Sequence, residues 1–500
     1  MFRKILIANR GEIALRIIRT CREMGISTLT LYEPSDKDSL HVRLADECVQ
    51  LDSPADYFDI GKIIHIARDK EADAIHPGYG FLAERSDFIQ ACDEANLAFI
   101  GPPAEQMARI EDKIETLRTI QAAGFPTVTH SNRSFGPDEY EALEEEAAVI
   151  EFPLIIKSSR GGRGRGERLV TRPEKLAQAV RRAQAESQAV YGSRQLYLER
   201  AILPAHQIGV QILADQNGRI IHLGEREGSI LAGNQKIIEE SPAPGLTMES
   251  RQALWMAAIN IARLINFQNA GTVEFLVDED GRYYFSEIKA RLQADHTLTE
   301  MRTGIDLVRE QLRIAAAEPV IEQANVTFSG WAMLARIRAE KSWDRFMPCP
   351  GRLTQVRFPG GHGIRIDSHA ADRFYLSAAY DPLIAKITVC SPERVSSINR
   401  LRSALEECRL VGTDTNLSLL LWALQTEAFT AGRADTELLA HRVDYLLPSD
   451  VNTLSSRQLQ ELAVTAAFLY LHRTRQIAHQ ETPPPFTTGW HQSSRFGGVK

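Results

Sequence analysis

Two glutamates in the segment 271–300 have the spacing of a metal site. Asp280 and Gly281 lie between runs of alternating apolar residues, which predicts a β-hairpin with a two-residue turn. In that register Glu274 faces Glu287, and opposed Cβ atoms lie roughly 5 Å apart. A hard divalent cation would remove the repulsion between the two carboxylates. The pattern therefore indicates a metal site, although an exposed hairpin with a solvated charged face would give the same pattern.

The returning strand of this hairpin carries further polar residues. Side chains alternate along a strand, so Glu287, Lys289, Arg291 and Gln293 are expected to share one face. A face that combines carboxylates, cations and an amide has the composition of a binding floor, although for one hairpin taken alone a solvated charged face is the favoured interpretation.

A glycine-rich loop, RGGRGRG at 160–166, follows a strand that ends at Lys157. The backbone N–H groups of Gly161, Gly162 and Gly164 could cradle a phosphate chain. The spacing differs from that of a Walker A loop. A flexible hairpin tip or an RGG-type RNA contact would have the same composition. The RNA interpretation is disfavoured because the segment occurs once and lies between apolar strands.

Three isolated polar residues each allow two interpretations. Glu199, after the strand QLYLE, could accept a hydrogen bond from an adenine or ribose, or face solvent. Lys236 could bind an anion or lie on the surface. Arg336 lies near Glu340, which favours a structural ion pair. Together with the loop and the paired glutamates, they indicate a nucleoside triphosphate site, because phosphoryl transfer depends mostly on positioning and charge neutralisation.

Composition limits the kind of protein that carries these residues. A length of 500 residues predicts about three domains. The net charge of −7 gives no general attraction to nucleic acid or anionic membranes. No apolar run approaches the ~20 residues of a membrane helix, and the N-terminus lacks the pattern of a signal peptide. The scattered cysteines, without a CxxC pair, predict reduced thiols and a cytoplasmic location.

The order of the predicted elements indicates an α/β and α+β multidomain chain. Short apolar strands alternate with amphipathic helices over 1–112, which predicts a parallel sheet. The first strand-to-helix turn, at Gly11, lacks the GxGxxG fingerprint of dinucleotide sites. Strand-rich segments follow at 191–320 and from 328 onward. A long helix is predicted over 453–480, followed by Pro483, Pro484 and Pro485.

From about residue 2 to 445 the chain resembles the biotin carboxylase family, whose core has the ATP-grasp fold. Six ordered blocks carry the resemblance: IANRGEIALRI at 7–17, HPGYGFLAE at 76–84, AGTVEFL at 270–276, ARLQADHTLTE at 290–300, RIRAE at 336–340 and YDPLIAK at 380–386. The resemblance implies four parts: a Rossmann-like N-terminal domain at 1–112, an ATP-grasp domain at 113–325 with a mobile lid at about 130–200, a β-rich biotin carboxylase C-terminal domain at 326–445, and a helical, proline-containing tail at 446–500.

The resemblance also implies a reaction and roles for individual residues. ATP and bicarbonate form carboxyphosphate, whose carbon dioxide carboxylates biotin on a separate carrier protein. The implied magnesium (or manganese) ligands are Glu274 and Glu287. The implied ATP-binding residues are Lys113, Lys157, Gly161, Gly162, Gly164, Glu199, Ile202 and Gln235. The implied bicarbonate cradle consists of Lys236, Arg291, Gln293 and the Ala294 backbone, with Asp295 as general base and Arg336 as the group that stabilises the biotin enolate.

The implied partners are the biotin carboxyl carrier protein and the carboxyltransferase subunits of an acyl-CoA carboxylase. The family commonly forms homodimers, and neither nucleic acid nor a membrane is expected as a partner. The tail, with its long helix and Trp490, is expected either to dock a partner or to cap the protein's own core.

Several residues depart from the family pattern near the triphosphate and the metal. Asp295 is one methylene shorter than the family's glutamate, and a misplacement of about 1 Å can cost about 100-fold in rate. The other departures are Arg160 and Arg163 in the glycine loop, Gln207, Leu231, Asn234, and Lys289 in place of an asparagine. They motivate a second hypothesis, ranked below the catalytic component: a non-catalytic homologue that regulates or scaffolds a carboxylase. A third, an ATP-grasp ligase for another carboxylate, is disfavoured by Gln293 and Arg336.

Overall fold

A computed structural model describes residues 1–159, 168–342, 344, 346–439, 464, 467 and 468. The chain divides into two units, Met1–Val443 and Asp444–Lys500. The expectations for Gly161, Gly162 and Gly164 and for the proline segment lie outside the described residues. So does nearly all of the long helix predicted over 453–480, of which the three described residues are helical.

The N-terminal segment forms a five-stranded parallel sheet, as its alternating pattern predicted. The strand order is β3-β2-β1-β4-β5. Every residue from Ile5 to Ile7 in β1 is fully buried, because helices cover both faces of a parallel sheet. The strands are β1 (Lys4–Ile7), β2 (Ser27–Tyr32), β3 (Glu47–Gln50), β4 (Ala74–His76) and β5 (Ala98–Phe99), and the helices are α1 (Gly11–Glu23), α2 (Leu40–Leu44), α3 (Ile60–Asp69), α4 (Ser86–Glu94) and α5 (Ala104–Glu111).

A small antiparallel sheet with its own apolar core follows. Its strand order is β7-β6-β8, and α7 and α8 pack on it through residues such as Leu143, Ala147 and Val180. The elements are α6 (Lys113–Ala122), α7 (Tyr140–Ile150), β6 (Leu154–Ser158), β7 (Arg168–Val170), α8 (Leu176–Tyr191) and β8 (Leu196–Arg200).

An eight-stranded antiparallel sheet carries both candidate metal ligands, Glu274 and Glu287, together with Lys236 and Arg336. Its order is β13-β12-β9-β10-β11-β14-β21-β19, so it continues across residue 326 through the β11–β14 pairing. Its strands are β9 (His206–Ala214), β10 (Ile220–Ala232), β11 (Gln235–Ser241), β12 (Asn269–Val277), β13 (Tyr283–Lys289), β14 (Trp331–Arg338), β19 (Ile364–Ser368) and β21 (Leu383–Ser391).

Helices and short two-stranded sheets complete the described part of the first unit. The helices are α9 (Met248–Leu264), α10 (His296–Thr303), α11 (Leu307–Ala315), α12 (Arg394–Glu407), α13 (Leu417–Ala423) and α14 (Glu427–Thr430). The short strands are β15 (Glu340–Lys341), β16 (Met347–Pro348), β17 (Gly351–Arg352), β18 (Gln355–Arg357), β20 (Tyr375–Leu376) and β22 (Arg409–Val411). Among the described residues, no helix is both long enough and apolar enough to cross a membrane.

The β12–β13 hairpin confirms the opposition of Glu274 and Glu287 but not the predicted turn. The Asp278 N–H donates to the Arg282 carbonyl at 3.0 Å, so the loop has three residues, 279–281. Gly281, at φ +78°, adopts the left-handed conformation that closes this loop. The two-residue turn was therefore wrong. A one-residue register shift next to Glu274 compensates for the longer loop and restores the predicted pairing.

Candidate active site

Each of the two opposed glutamates is paired with a lysine. The Lys236 ammonium lies 3.3 Å from Glu274 Oε1, and the Lys289 ammonium lies 2.7 Å from Glu287 Oε1. Lys113, at the start of α6, lies 3.6 Å from Glu287 Oε2. The interpretation of Lys236 as a surface lysine was wrong, because strand pairing between β10 and β11 places its side chain over the sheet beside Glu274. The like charges that the sequence brings together are thus balanced by cations.

These lysines keep the Glu287 carboxyl ionised. Burial alone would raise the pKa of Glu287, but the charges of Lys289, Lys113 and Lys157 hold it well below its usual range. Burial lowers the pKa of Lys289, and the carboxylates around it raise that pKa above its ordinary value. A buried ion pair of this kind loses much of its attraction to the cost of desolvation. Its value is in placing opposite charges at defined positions.

Glu274 and Glu287 alone supply too few donor atoms for a magnesium ion, so the remaining donors must come from a bound ligand. Among the residues that the structure describes, no group of three or more His, Cys, Asp and Glu side chains could hold a metal. Magnesium is usually bound through one or two carboxylates together with substrate phosphates. Glu274 and Glu287 supply that number of carboxylates, so the donor set fits a metal that arrives with a phosphate chain.

Arg226 on β10 connects this pair to the rest of the site, although no motif or spacing selected it beforehand. It is the largest fully buried side chain of the described residues. Its guanidinium lies 3.0 Å from Asp295 Oδ2. Its two terminal nitrogens donate at 2.8–2.9 Å to the side-chain oxygens of Gln211, Thr272, Gln293 and Thr299. The only signal in the sequence was a charged residue within a β-strand pattern.

Gln293 joins the Arg226 network to the paired glutamates. Its amide nitrogen donates to Glu274 Oε1 at 2.6 Å, while its amide oxygen accepts from Arg226. Asp295 lies on the other side of Arg226. Burial alone would raise the pKa of Asp295, but the charges of Arg226, Lys236 and Arg336 hold it far below the ordinary value. A continuous array therefore runs from Glu274 through Gln293 and Arg226 to an ionised Asp295.

Family models match nearly the whole first unit. The N-terminal domain of biotin carboxylase matches residues 1–107, the ATP-binding domain of the carbamoyl-phosphate synthase L chain matches 112–323, and the C-terminal domain of biotin carboxylase matches 334–441. A biotin carboxylase from Nostoc sp. is 43% identical over 442 residues, which cover 88% of this chain and 98% of that protein. The chain belongs to the biotin carboxylase family.

Members of this family carboxylate biotin at the expense of ATP. The biotin carboxylase domain dimer of the Hydrogenobacter thermophilus 2-oxoglutarate carboxylase, in complex with MgADP and bicarbonate, has a TM-score of 0.85 and 38% identity, covering 88% of this chain and 98% of that one. A pyruvate carboxylase component from Methanothermobacter thermautotrophicus is 38% identical, with 89% of this chain and 90% of that protein covered.

Arg336 of this biotin carboxylase homologue is paired differently from the sequence interpretation. Its guanidinium makes a two-fold contact with Glu239 on β11, with Nε at 2.7 Å from Oε2. Glu340 instead accepts from Arg338 at 3.0 Å. The predicted Arg336–Glu340 pair was wrong because four residues along a strand span about 13 Å, whereas a neighbouring strand lies within about 5 Å.

Arg291 lies beyond the end of β13 and turns toward the N-terminal segment. Its Nε lies 3.3 Å from a carboxylate oxygen of Glu84, in the loop before α4. Glu84 also lines a pocket together with Lys113, Glu287 and Lys289. The strand ends at Lys289, so strand alternation no longer sets the direction of the Arg291 side chain. Gln293, in contrast, does reach the paired glutamates through Glu274. Glu84 was not selected from the sequence.

The lysine and glutamate expected at the nucleotide lie together on the small sheet. The Lys157 ammonium is 2.8 Å from Glu199 Oε2, and the Tyr197 hydroxyl donates to Glu199 Oε1 at 2.7 Å. The alternative that Glu199 faces solvent was wrong, since it is 1% exposed. Ile202 follows β8 and Gln235 begins β11, and both are half-buried.

Gly228 makes room for the Lys236 side chain. A Cβ at Gly228 would stand 2.6 Å from Lys236 Cδ, closer than real Cβ atoms come. Any larger residue at 228 would push the Lys236 ammonium away from Glu274. This requirement is set by the β10–β11 pairing and cannot be read from the order of residues alone.

Proposed function

We propose that the chain is the biotin carboxylase component of an acyl-CoA carboxylase, which carboxylates carrier-bound biotin with ATP and bicarbonate. The observation that carries the proposal is the array from Glu274 through Gln293 and Arg226 to Asp295. One end of this array suits a metal–phosphate group, and the other end presents an ionised carboxylate. Two charged reactants could therefore be held next to each other, which is the main requirement of phosphoryl transfer to bicarbonate.

The ATP end of the site is assigned first. Glu274 and Glu287 would hold magnesium or manganese, which would neutralise charge on the phosphate oxygens when bound. Lys113 stands close enough to Glu287 to bind the same phosphate chain. The remaining residues proposed to bind ATP are Lys157, Gly161, Gly162, Gly164, Glu199, Ile202 and Gln235.

The carboxylation end is assigned to the residues around Arg226. Lys236, Arg291 and Gln293 would bind the bicarbonate oxygens through one ammonium, one guanidinium and one amide. Asp295 would accept the bicarbonate proton. The two-fold contact with Glu239 fixes the orientation of the Arg336 guanidinium. Arg336 would then donate to the oxygen of biotin on which negative charge develops.

A direct assay tests this function. We expect ATP hydrolysis that requires bicarbonate and a divalent metal and that increases when free biotin is added. The purified chain is assayed for phosphate release with each component omitted in turn. Absence of biotin-dependent turnover with both magnesium and manganese would refute the proposal.

The Lys289–Glu287 pair favours a second candidate, a biotin carboxylase homologue that regulates or scaffolds a carboxylase without turnover. The Lys289 ammonium already lies on a carboxylate proposed to bind the metal. Calorimetry with Mg-ATP separates the two candidates. Tight Mg-ATP binding together with turnover would eliminate the non-catalytic homologue, whereas absent binding would support it.

Lys289→Asn is expected to increase the metal requirement of the protein. In the wild type, the ammonium at 2.7 Å from Glu287 supplies one positive charge that a neutral amide lacks. The variant should therefore lose a larger share of its activity when magnesium is omitted, and it should bind the free metal more tightly in calorimetry. Lys341→Asn, a half-buried lysine on β15, is the matched control. Identical metal titrations for wild type and Lys289→Asn would contradict the expectation.

The proposed partners are a biotinylated carrier protein, carboxyltransferase subunits and a second copy of this chain. The dimeric Hydrogenobacter domain supports the homodimer. The similar proteins include components of 2-oxoglutarate and pyruvate carboxylases. The assignment to an acyl-CoA carboxylase is therefore the more specific part of the proposal. Domain borders near 112, 325 and 445, the lid at about 130–200, the tail at 446–500 and the cytoplasmic location also remain proposals.

A further inference from the structure

A buried lysine outside the assigned residues contacts the backbone of the bicarbonate segment. Lys386 lies in the middle of β21 and is 0% exposed. Its ammonium donates a hydrogen bond to the carbonyl oxygen of Ala294 at 3.1 Å. Ala294 stands between Gln293 and Asp295, whose side chains form the array described above. The contact therefore acts on the backbone from which both side chains project.

Glu12 supplies the charge that balances this ammonium. It lies in the first turn of α1, is 5% exposed, and has a carboxylate oxygen 3.0 Å from Lys386 Nζ. Burial raises the pKa of Glu12, and the Lys386 charge is the strongest influence that opposes the rise. The nearby Asp367, opposite Lys386 in the β19–β21 ladder, accepts from Arg365. Glu12 and the Ala294 carbonyl lie 3.0 and 3.1 Å from the Lys386 ammonium, whose charge also helps to lower the pKa of Asp367.

Lys386 completes a set of contacts that hold the segment from different sides. Arg226 on β10 contacts the side chains of Gln293 and Asp295. The His296 ring contacts the Gln293 carbonyl at 2.8 Å. Lys386 binds the Ala294 carbonyl, which lies between Gln293 and Asp295 along the chain. Because a peptide unit is planar, this contact also orients the Asp295 N–H group.

We propose that Lys386 and Glu12 are positioning residues that set the Gln293–Asp295 segment for bicarbonate. The consequence for bicarbonate rests on the proposed function, whereas the effect on the segment itself does not. Through this pair, α1 and β21 control a segment that belongs to neither of them.

Lys386→Met keeps the length and apolar stem of the side chain and removes the ammonium. We expect the KM for bicarbonate to increase by at least about tenfold, since a displacement of about 1 Å can cost about 100-fold. The KM for ATP should stay near the wild-type value, because Lys386 contacts none of the residues assigned to ATP. The double variant Glu12→Gln/Lys386→Met should match the single variant if the two residues act as a unit.

Arg394→Met is the matched control. Arg394 makes a buried two-fold ion pair with Glu240 on the same large sheet, and its hydrogen bonds go to Glu240, Phe429 and Thr430. Its loss should lower stability without a change in the KM for bicarbonate. Equal shifts of that KM in both variants, or no shift in Lys386→Met, would overturn the proposal.

Hydrogen exchange gives a second readout that needs no activity. Amides of the peptide 290–298 should exchange faster in Lys386→Met than in wild type, and at the wild-type rate in Arg394→Met. If the wild type shows no bicarbonate-dependent turnover, the proposed function fails, while this comparison still decides the positioning role. Unchanged exchange in Lys386→Met would overturn that role.

Discussion

Replacing Arg226 with methionine is expected to abolish bicarbonate-dependent turnover and to lower the free energy of unfolding by about 3–5 kcal/mol. The fully buried guanidinium is the cation that most lowers the pKa of Asp295. Its removal would leave that carboxylate, together with the side-chain oxygens of Gln211 and Gln293, buried without their main partner. Urea unfolding and phosphate release measure the two effects.

The loss of stability in Arg226→Met should depend on pH in a defined direction. The folded-state pKa of Asp295 lies below its unfolded value, so the carboxylate contributes stability that is present above the unfolded pKa and is lost as pH falls. The difference in stability between wild type and Arg226→Met should therefore be largest near neutral pH and shrink below about pH 4.

Two further substitutions test whether this effect is specific to Arg226. Arg226→Lys keeps the charge but cannot reproduce the planar fork of donors, so it should recover only part of the stability. Arg263→Met changes an exposed arginine on α9 whose guanidinium contacts Asn260, and it should shift stability by less than about 0.5 kcal/mol. Wild-type stability and turnover in Arg226→Met would contradict the central role of this residue.

Asp295→Asn is expected to decrease biotin carboxylation by about 10²–10⁴-fold while ATP binding is retained. The amide has nearly the same shape as the carboxylate but cannot accept the bicarbonate proton. The nucleotide residues Lys157 and Glu199 lie on a different sheet and should be unaffected. Incorporation of radiolabelled bicarbonate into biotin measures the reaction, and calorimetry measures nucleotide binding.

Asp215→Asn is the control for loss of a buried aspartate. Asp215 is 2% exposed and accepts hydrogen bonds from the backbone N–H groups of Asn217, Arg219 and Val320. Its replacement should lower stability and leave the turnover of the folded protein unchanged. If Asp295→Asn carboxylated biotin at the wild-type rate, Asp295 would not be the general base.

The prediction that Glu274 faces Glu287 was confirmed, although it assumed a loop one residue too short and no register shift. These two errors cancel each other. Alternation and the Asp280-Gly281 signal located the strands and indicated that Glu274 faces Glu287. The loop is one residue longer than predicted, and a register shift beside Glu274 removes the difference. The extra residue, Ser286, lies on β13 between the partners of Glu274 and Phe275, and no glycine or proline marks its position in the sequence.

Arg226, Glu239 and Glu84 were not found from the sequence because their partners are distant along the chain. Arg226 contacts residues 211, 272, 293, 295 and 299. Glu239 is 97 residues from Arg336, which it holds. Local spacing selects residues that face each other within one hairpin or helix, whereas these contacts require strands to be placed side by side.

By itself the sequence determined the family, the parallel N-terminal sheet, the antiparallel hairpin and the opposition of Glu274 and Glu287. These features follow from local periodicity, turn residues and ordered sequence blocks, which act over short distances along the chain. Only the tertiary structure decided which charges neutralise which. It paired Lys236 with Glu274, Arg336 with Glu239 and Lys386 with Glu12. The physical reason is that a buried charge must find its counter-charge in space, and the closest one lies on a neighbouring element whose position the whole fold sets.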